Sequence, residues 1–469
     1  IYKIWDVCEL IGCVMKRILI KNAQILTMDT SIGDLDNADI LIDGDTISDV
    51  GHNLKADNSE TIDAKDFLVS PGLINGHIHT WQTGLRGIAS DWTLVDYLAS
   101  IHAGLASYYN ADDMYIGNYV GALYQINTGS TTIVDWCHNN PTPDHTDEAI
   151  RGLEESKIRA IFLHGSPKHE PKEGQPHFSE VPHPKSEIDR LRKGTFASDD
   201  QLLNLGMAIL GPQQSTLDVC KHDFELAKDL DLIVSMHIGG KFMTPEGFDV
   251  LKEMRLLNKK TNIVHANNIS NEMLDKLVES NCTFSITPEE ELQMGFGNPL
   301  TKRLIDRNGT FGFGSDIESA MAGDMLNVIR FALQAVRHEY TLENYALHNA
   351  PPSDIKVTTR KAFEWATIDA AKLFGIDNKV GSITPGKKAD IIMFNKRSVS
   401  FTPIHDPIST ILFHSNSNDI DTVIIGGNVL KKSGKLLAPN ISQSLDKLSV
   451  SGHRIMNDYR ENLRSEERR

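Results

Sequence analysis

The sequence predicts an α/β chain: a (β/α)8 TIM-like barrel joined to a small β-sandwich built from both chain ends. Three observations carry this. Eight short apolar segments between residues 67 and 315 alternate with helical stretches, as parallel strands covered by helices do. Residues 18–50 hold only strand-like segments and turns, and residues 381–430 return to that character. The length of 469 residues exceeds one simple core and suits about two domains. An open doubly wound sheet also satisfies the alternation, so alternation alone does not choose.

In chain order, Ile18-Leu19-Ile20, Ala23–Leu26, Ala38–Ile42 and Thr46–Val50 read as strands. Asp43-Gly44-Asp45 between the last two is a hairpin turn signal. Barrel strands are expected at 67–75, 130–136, 159–165, 206–211, 232–237, 261–265, 282–287 and 310–315. Helices are expected at 111–127, 144–156, 216–229, 246–257, 270–279 and 323–338. Segment 166–198 is polar and rich in Pro, Lys and His, and it follows the third strand. It would lie on the barrel's C-terminal face, as a lid or substrate loop. Gly381–Ile383, Ala389–Phe394, Val423–Ile425 and Val429-Leu430 supply the returning β segments, and the charged end reads as a surface helix. The expected units are 16–66 and 378–445 for the sandwich, 67–377 for the barrel and 446–469 for the tail.

Composition narrows the function classes. A formal net charge of −16 argues against a nucleic-acid partner. No apolar run approaches the roughly 20 residues that span a bilayer, so no membrane partner is expected. Cys8, Cys13, Cys137, Cys220 and Cys282 are scattered and odd in number, which suits reduced thiols and a cytoplasmic protein. Met15-Lys16-Arg17 reads as a natural start, with residues 1–14 as upstream sequence. Asp6 and Glu9 in that leading stretch argue against a secretory signal.

The chemistry starts at Pro71–Thr80. His77 and His79 stand two apart after an apolar run, so on a strand both face one way. His237 ends the fifth expected strand, His265 the sixth and Asp316 the eighth. In a barrel these strand ends share one mouth. Imidazole and carboxylate donors with an open position suit zinc or ferrous iron.

These residues make the chain resemble the amidohydrolase superfamily, in the branch of cytosine and guanine deaminases and atrazine and triazine hydrolases. The matching marks are Pro-Gly-Leu-Ile-Asn-Gly-His-Ile-His at 71–79, His237, His265, Gly314-Ser315-Asp316, and Gly381-Ser382-Ile383 with Pro385–Ile391. The resemblance runs from about residue 16 to about residue 440. It implies that His77, His79, His237 and Asp316 hold one divalent metal ion, zinc first and iron as the alternative. It implies that Asp316 moves protons and that His265 orients the water or steadies the oxyanion. Binuclear relatives place a lysine after strand four; Leu210–Gln214 has none, so one ion is expected. The implied activity is hydrolysis of a non-peptide C–N bond in a small heterocyclic molecule by metal-activated hydroxide, as a deaminase or amidohydrolase. Release of chloride or an alkylamine is the alternative, and a non-catalytic scaffold the alternative of another class. Relatives of this kind often form homo-oligomers.

Deaminases of this branch carry His-x-x-Glu on strand five, whereas this chain reads His237-Ile238-Gly239-Gly240. Either Asp316 works alone or another acid replaces that glutamate, and Glu289, in Thr287-Pro288-Glu289-Glu290-Glu291, is the candidate. Asn268 stands where relatives often place a second histidine, and the 287–291 loop lacks their Ser-Asn pair. These departures point away from cytosine and guanine, and they weaken ring deamination without weakening C–N hydrolysis. Trp81, Gln82, Trp136, His138 and His164 are the candidate substrate contacts. Arg86 either meets a substrate carboxylate or pairs on the rim.

Overall fold

The computed structural model describes residues 16–168, 171 and 173–467. The reading of residues 1–14, with Cys8 and Cys13, lies outside them. Eight parallel strands form a barrel, in sequence order and each paired with the next. They are Leu73–Ile78, Ser130–Cys137, Arg159–Gly165, Leu203–Ala208, Ile233–Ile238, Thr261–His265, Thr283–Ile286 and Thr310–Phe313. Several are buried along their whole length, as strands with helices outside and packed side chains inside must be. Helices between them start on side-chain caps. Asn110 and Asp113 form a capping box for Ala111–Asn127, and Thr216 and Ser270 cap Leu217–Asp229 and Asn271–Glu279.

The eighth strand closes on the first at the C-terminal end of the barrel. Ile78 bridges Asp316, the His79 amide donates to the Asp316 carbonyl at 2.8 Å, and the Asp316 amide donates to the His77 carbonyl at 3.1 Å. Asn75 fastens the same seam, donating to Ser315 Oγ at 2.8 Å and accepting from the Ser315 amide at 3.2 Å. Gly314 is required here: a Cβ would lie 2.4 Å from the His77 carbonyl oxygen.

Both chain ends join in one mixed nine-stranded sheet. Arg17–Ile25 is its branch point, pairing with Leu35–Asp43, Ser59–Asp63 and Phe67–Pro71. Phe67–Pro71 pairs in turn with Ile391–Asn395 from the C-terminal part. Ile20, Ile25, Ile40, Val69, Ile391 and Ile424 share one apolar cluster there.

The expected first barrel strand, 67–75, is therefore two strands in two sheets. Gly72 is the bend; a Cβ would sit 2.0 Å from Thr131 Oγ1, and its amide donates to the Asp390 carbonyl. The expected fourth strand stops at Ala208, because Gly211 adopts a left-handed φ of 62° and Pro212 starts the short helix Gly211–Gln214. The C-terminal helix Ile441–Glu467 packs on Ala111–Asn127, with Ser451 donating to Asp113 at 2.6 Å.

Candidate active site and metal centre

His77, His79, His237 and Asp316 converge at the closed end of the barrel, with one ligand atom from each lying within 4.8 Å of the others. His77 Nε2 lies 3.1 Å from His237 Nε2 and 3.3 Å from Asp316 Oδ1. His79 Nε2 lies 3.4 Å from the same Oδ1. A tetrahedral cation with donors at about 2.0–2.2 Å would hold them about 3.4 Å apart, so the spacing fits one ion.

The donors are also in the right chemical state. His79 Nδ1 donates to the Trp136 carbonyl at 2.7 Å, which leaves the Nε2 lone pair bare. Burial lowers all three imidazoles, His79 to about 3, so they are neutral. The Nε2 atoms of all three rings turn towards the same space beside Asp316, as donors to one cation would. Burial pushes Asp316 upward, but its hydrogen bond with His77 and the surrounding imidazoles outweigh this, leaving the carboxyl well below its ordinary range.

His265 lies beside the group, its Nε2 3.6 Å from Asp316 Oδ2. Its Nδ1 is 3.1 Å from Thr287 Oγ1 and 3.3 Å from Glu291 Oε1. Glu291 is fully buried and also accepts from the Thr287 amide at 2.9 Å and Asn267 Nδ2 at 3.0 Å. His265 and Asp316 have φ of 68° and 58°, left-handed values rare outside glycine. Such strain collects where side-chain aim matters.

A cavity of about 210 Å³ opens above these residues. His79, His237, His265 and Asp316 form its floor. Tyr97, Met294, Phe296 and Ile317 are among its apolar walls, and Lys168, Gln213 and Glu290 are among its polar lining. Gln213 accepts from the Gly239 and Gly240 amides at 2.8 and 3.1 Å, fixing the turn after His237.

Of the glutamates in the 287–291 segment, the expected Glu289 is not the one that lines the cavity. Glu289 does not line the cavity; it is half-buried, with Asp324 and Arg330 as its charged neighbours. Glu290, the next residue on helix Pro288–Gln293, lines the cavity instead. On a helix each residue turns about 100° from the last, so adjacent glutamates face different surroundings.

The expected substrate contacts Trp81, Gln82, Trp136, His138 and His164 also stand behind the lining. Gln82 Nε2 donates to the Tyr97 hydroxyl at 2.6 Å, and its Oε1 accepts from Ser319. Trp136 braces His237, with ring centres 4.3 Å apart, while Trp81 packs on Tyr109 and His138. His164 meets His183 at 3.0 Å, away from the cavity. All five are buried close to their strand ends without reaching the lining. Arg86 pairs with Glu318, its Nε 2.8 Å from Oε2. Tyr97 and Phe296 carry no local motif, whereas Lys168 was foreshadowed by the polar segment that contains it.

The amidohydrolase family model matches residues 68–430. The chain belongs to the amidohydrolase family. As an amidohydrolase it is a hydrolase acting on carbon–nitrogen bonds other than peptide bonds. It is 28% identical over 440 residues to a 5-methylthioadenosine/S-adenosylhomocysteine deaminase of Pyrococcus horikoshii, covering 92% of this chain and 98% of that protein. It is 26% identical to a 5'-deoxyadenosine deaminase of Methanothermobacter thermautotrophicus, with 90% and 94% covered. Among solved structures, atrazine chlorohydrolase from Arthrobacter aurescens, complexed with zinc, superposes with a TM-score of 0.78 at 20% identity, covering 93% of this amidohydrolase and all of that chain (100%). That likeness bears on the fold. No helix among the described residues is long and apolar enough to cross a membrane.

Proposed function

We propose that this amidohydrolase is a deaminase of a small heterocyclic amine, with adenine-type nucleosides as its substrate class. The observation that carries the reading is the convergence of three neutral imidazoles and Asp316 on the floor of an apolar-walled cavity. The deaminase names of the relatives supply the substrate class. His77, His79, His237 and Asp316 are the proposed ligands of one divalent cation, zinc. When bound, that cation supplies Lewis acidity and brings a water's pKa to about 7.

The side chains divide the remaining work. Asp316 uses Oδ1 towards the imidazoles and keeps Oδ2 towards His265 and Thr287, so Oδ2 is placed to accept the attacking water's proton. His265 Nε2, aimed at the same space, orients the water; Glu291 holds the ring. Tyr97, Met294 and Phe296 exclude solvent and stack against a flat ring. Segment 166–198 contributes Lys168 to the lining, which suits a substrate loop. The buried thiols Cys137, Cys220 and Cys282 are free, in keeping with the cytoplasmic placement we propose.

Ammonia release from a panel of adenine nucleosides, other purines, pyrimidines and triazines tests this, alongside the metal content of the protein. Ammonia from adenine-type substrates, with one zinc per chain, is the expected result. Product without ammonia would replace deamination by loss of another group. An empty site with no turnover would favour a scaffold.

A further inference from the structure

Glu290 is the other carboxyl group lining the cavity, and it is strangely placed for a structural acid. It is 1% exposed, and neither of its oxygens has a hydrogen-bond partner among the described residues. Buried polar groups are nearly always paired, so a bare carboxyl facing a cavity calls for a partner that enters the cavity. Its neighbours are placed differently: Glu289 lies outside the lining, in the field of Asp324 and Arg330, and Glu291 is held on His265. Opposite, Gly239 and Gly240 line the cavity without a side chain.

We infer that Glu290 is the acid that delivers a proton to the ring nitrogen of the substrate and later recovers one; this rests on the deaminase reading above. The step balances as follows. The water oxygen bonds to the amine-bearing carbon, and the water's proton passes to Asp316 Oδ2. The C=N electron pair shifts to the ring nitrogen, which takes the Glu290 proton. The C–N bond to the amine then breaks, and the leaving nitrogen takes the proton held by Asp316 and departs as ammonia. The new hydroxyl becomes a carbonyl by returning its proton to Glu290. Asp316 and Glu290 end as they began, and no further reactant is needed.

The charges around Glu290 set its starting state. Asp316 faces it from the eighth strand end, and Glu289 and Glu291 flank it on its own helix. Tyr97, Lys168, His102, His237 and His265 share the cavity. The Lys168 ammonium stands over the Trp136 ring at 5.3 Å rather than on the carboxyl. Burial, followed by the Asp316 and glutamate charges, pushes Glu290 up to about 9, so it enters the reaction protonated.

The test compares metal-loaded wild type with Glu290→Gln, which keeps shape and a hydrogen-bond donor but cannot transfer a proton. The glutamine should lower kcat on the adenine-type substrate at least about 100-fold, with KM changed only a few-fold. The infrared difference between the two proteins at pH 7, without substrate, should contain a protonated carboxyl band. A carboxylate band instead, or wild-type turnover that Glu290→Gln leaves intact, overturns the assignment and leaves the deaminase reading standing. Failure of wild type to release ammonia from any substrate overturns both.

Discussion

Glu291→Gln isolates what holds His265. The carboxylate of Glu291 can only accept, so at 3.3 Å from Nδ1 it requires a proton there and leaves Nε2 as a lone pair. That lone pair faces Asp316 Oδ2 at 3.6 Å, and a water beside the two acceptors can donate one O–H to each. Glutamine has nearly the same shape but can turn an N–H towards Nδ1. The proton then moves to Nε2, which donates to Asp316 Oδ2 and occupies the atom that must take the water's proton. Partners that orient active-site imidazoles are typically worth about 10- to 100-fold in activity, or about 1.4–2.7 kcal/mol of barrier. Steady-state kinetics on the adenine-type substrate should show that loss in kcat, with KM little changed. Zinc content should stay at one per chain, because His265 is outside the ligand group. An unchanged kcat, or a fall that merely tracks lost zinc, would refute the tautomer argument.

Asp316→Asn should abolish detectable turnover; recovery of the rate on adding excess zinc would show that metal loss, rather than proton transfer, was responsible. Arg159 on the third barrel strand and Asp390 of the tail signature form a buried bidentate pair at 2.7 and 3.0 Å. Asp390→Ala strands the guanidinium, and denaturant unfolding should reveal a loss of about 3–5 kcal/mol, against no midpoint shift if the pair is dispensable. Burial raises Asp223 to about 6, above its ordinary 3.8. The folded state therefore holds that proton more tightly, and the stability this confers is lost as pH rises through about 6. Thermal unfolding of Asp223→Asn should match wild type below pH 4 and exceed it above pH 6; a constant offset at every pH would contradict this.

Much of the barrel was legible because strands buried on both faces must be apolar throughout, and because a helix must separate each parallel pair. The ligand group was legible for the same reason: His237, His265 and Asp316 interrupt apolar strands at their C-terminal ends, where a barrel gathers side chains. The bend at Gly72 was hidden, since 67–75 is one apolar run and only the clash with Thr131 and the pairing with Asp390 split it. The aromatic candidates lie outside the lining for a related reason. Trp81, Trp136 and His138 sit beside the right strand ends, but packing turned their rings behind the cavity wall.

The sequence by itself determined the family, the barrel and the histidine–aspartate group at its mouth, because these depend on residue type and strand spacing. Tertiary structure decided the division of labour among Glu289, Glu290 and Glu291. Each is the same residue on the same turn, and nothing local distinguishes them. Packing of helix Pro288–Gln293 on helix Met325–His348, with Thr287 bonded to Asp316 at its start, sets the rotation. One carboxyl lies outside the cavity in the field of Asp324 and Arg330, one faces the cavity bare, and one grips His265. Rotation about a helix axis is fixed by what the helix packs against, and that surface is assembled from residues far away in the chain.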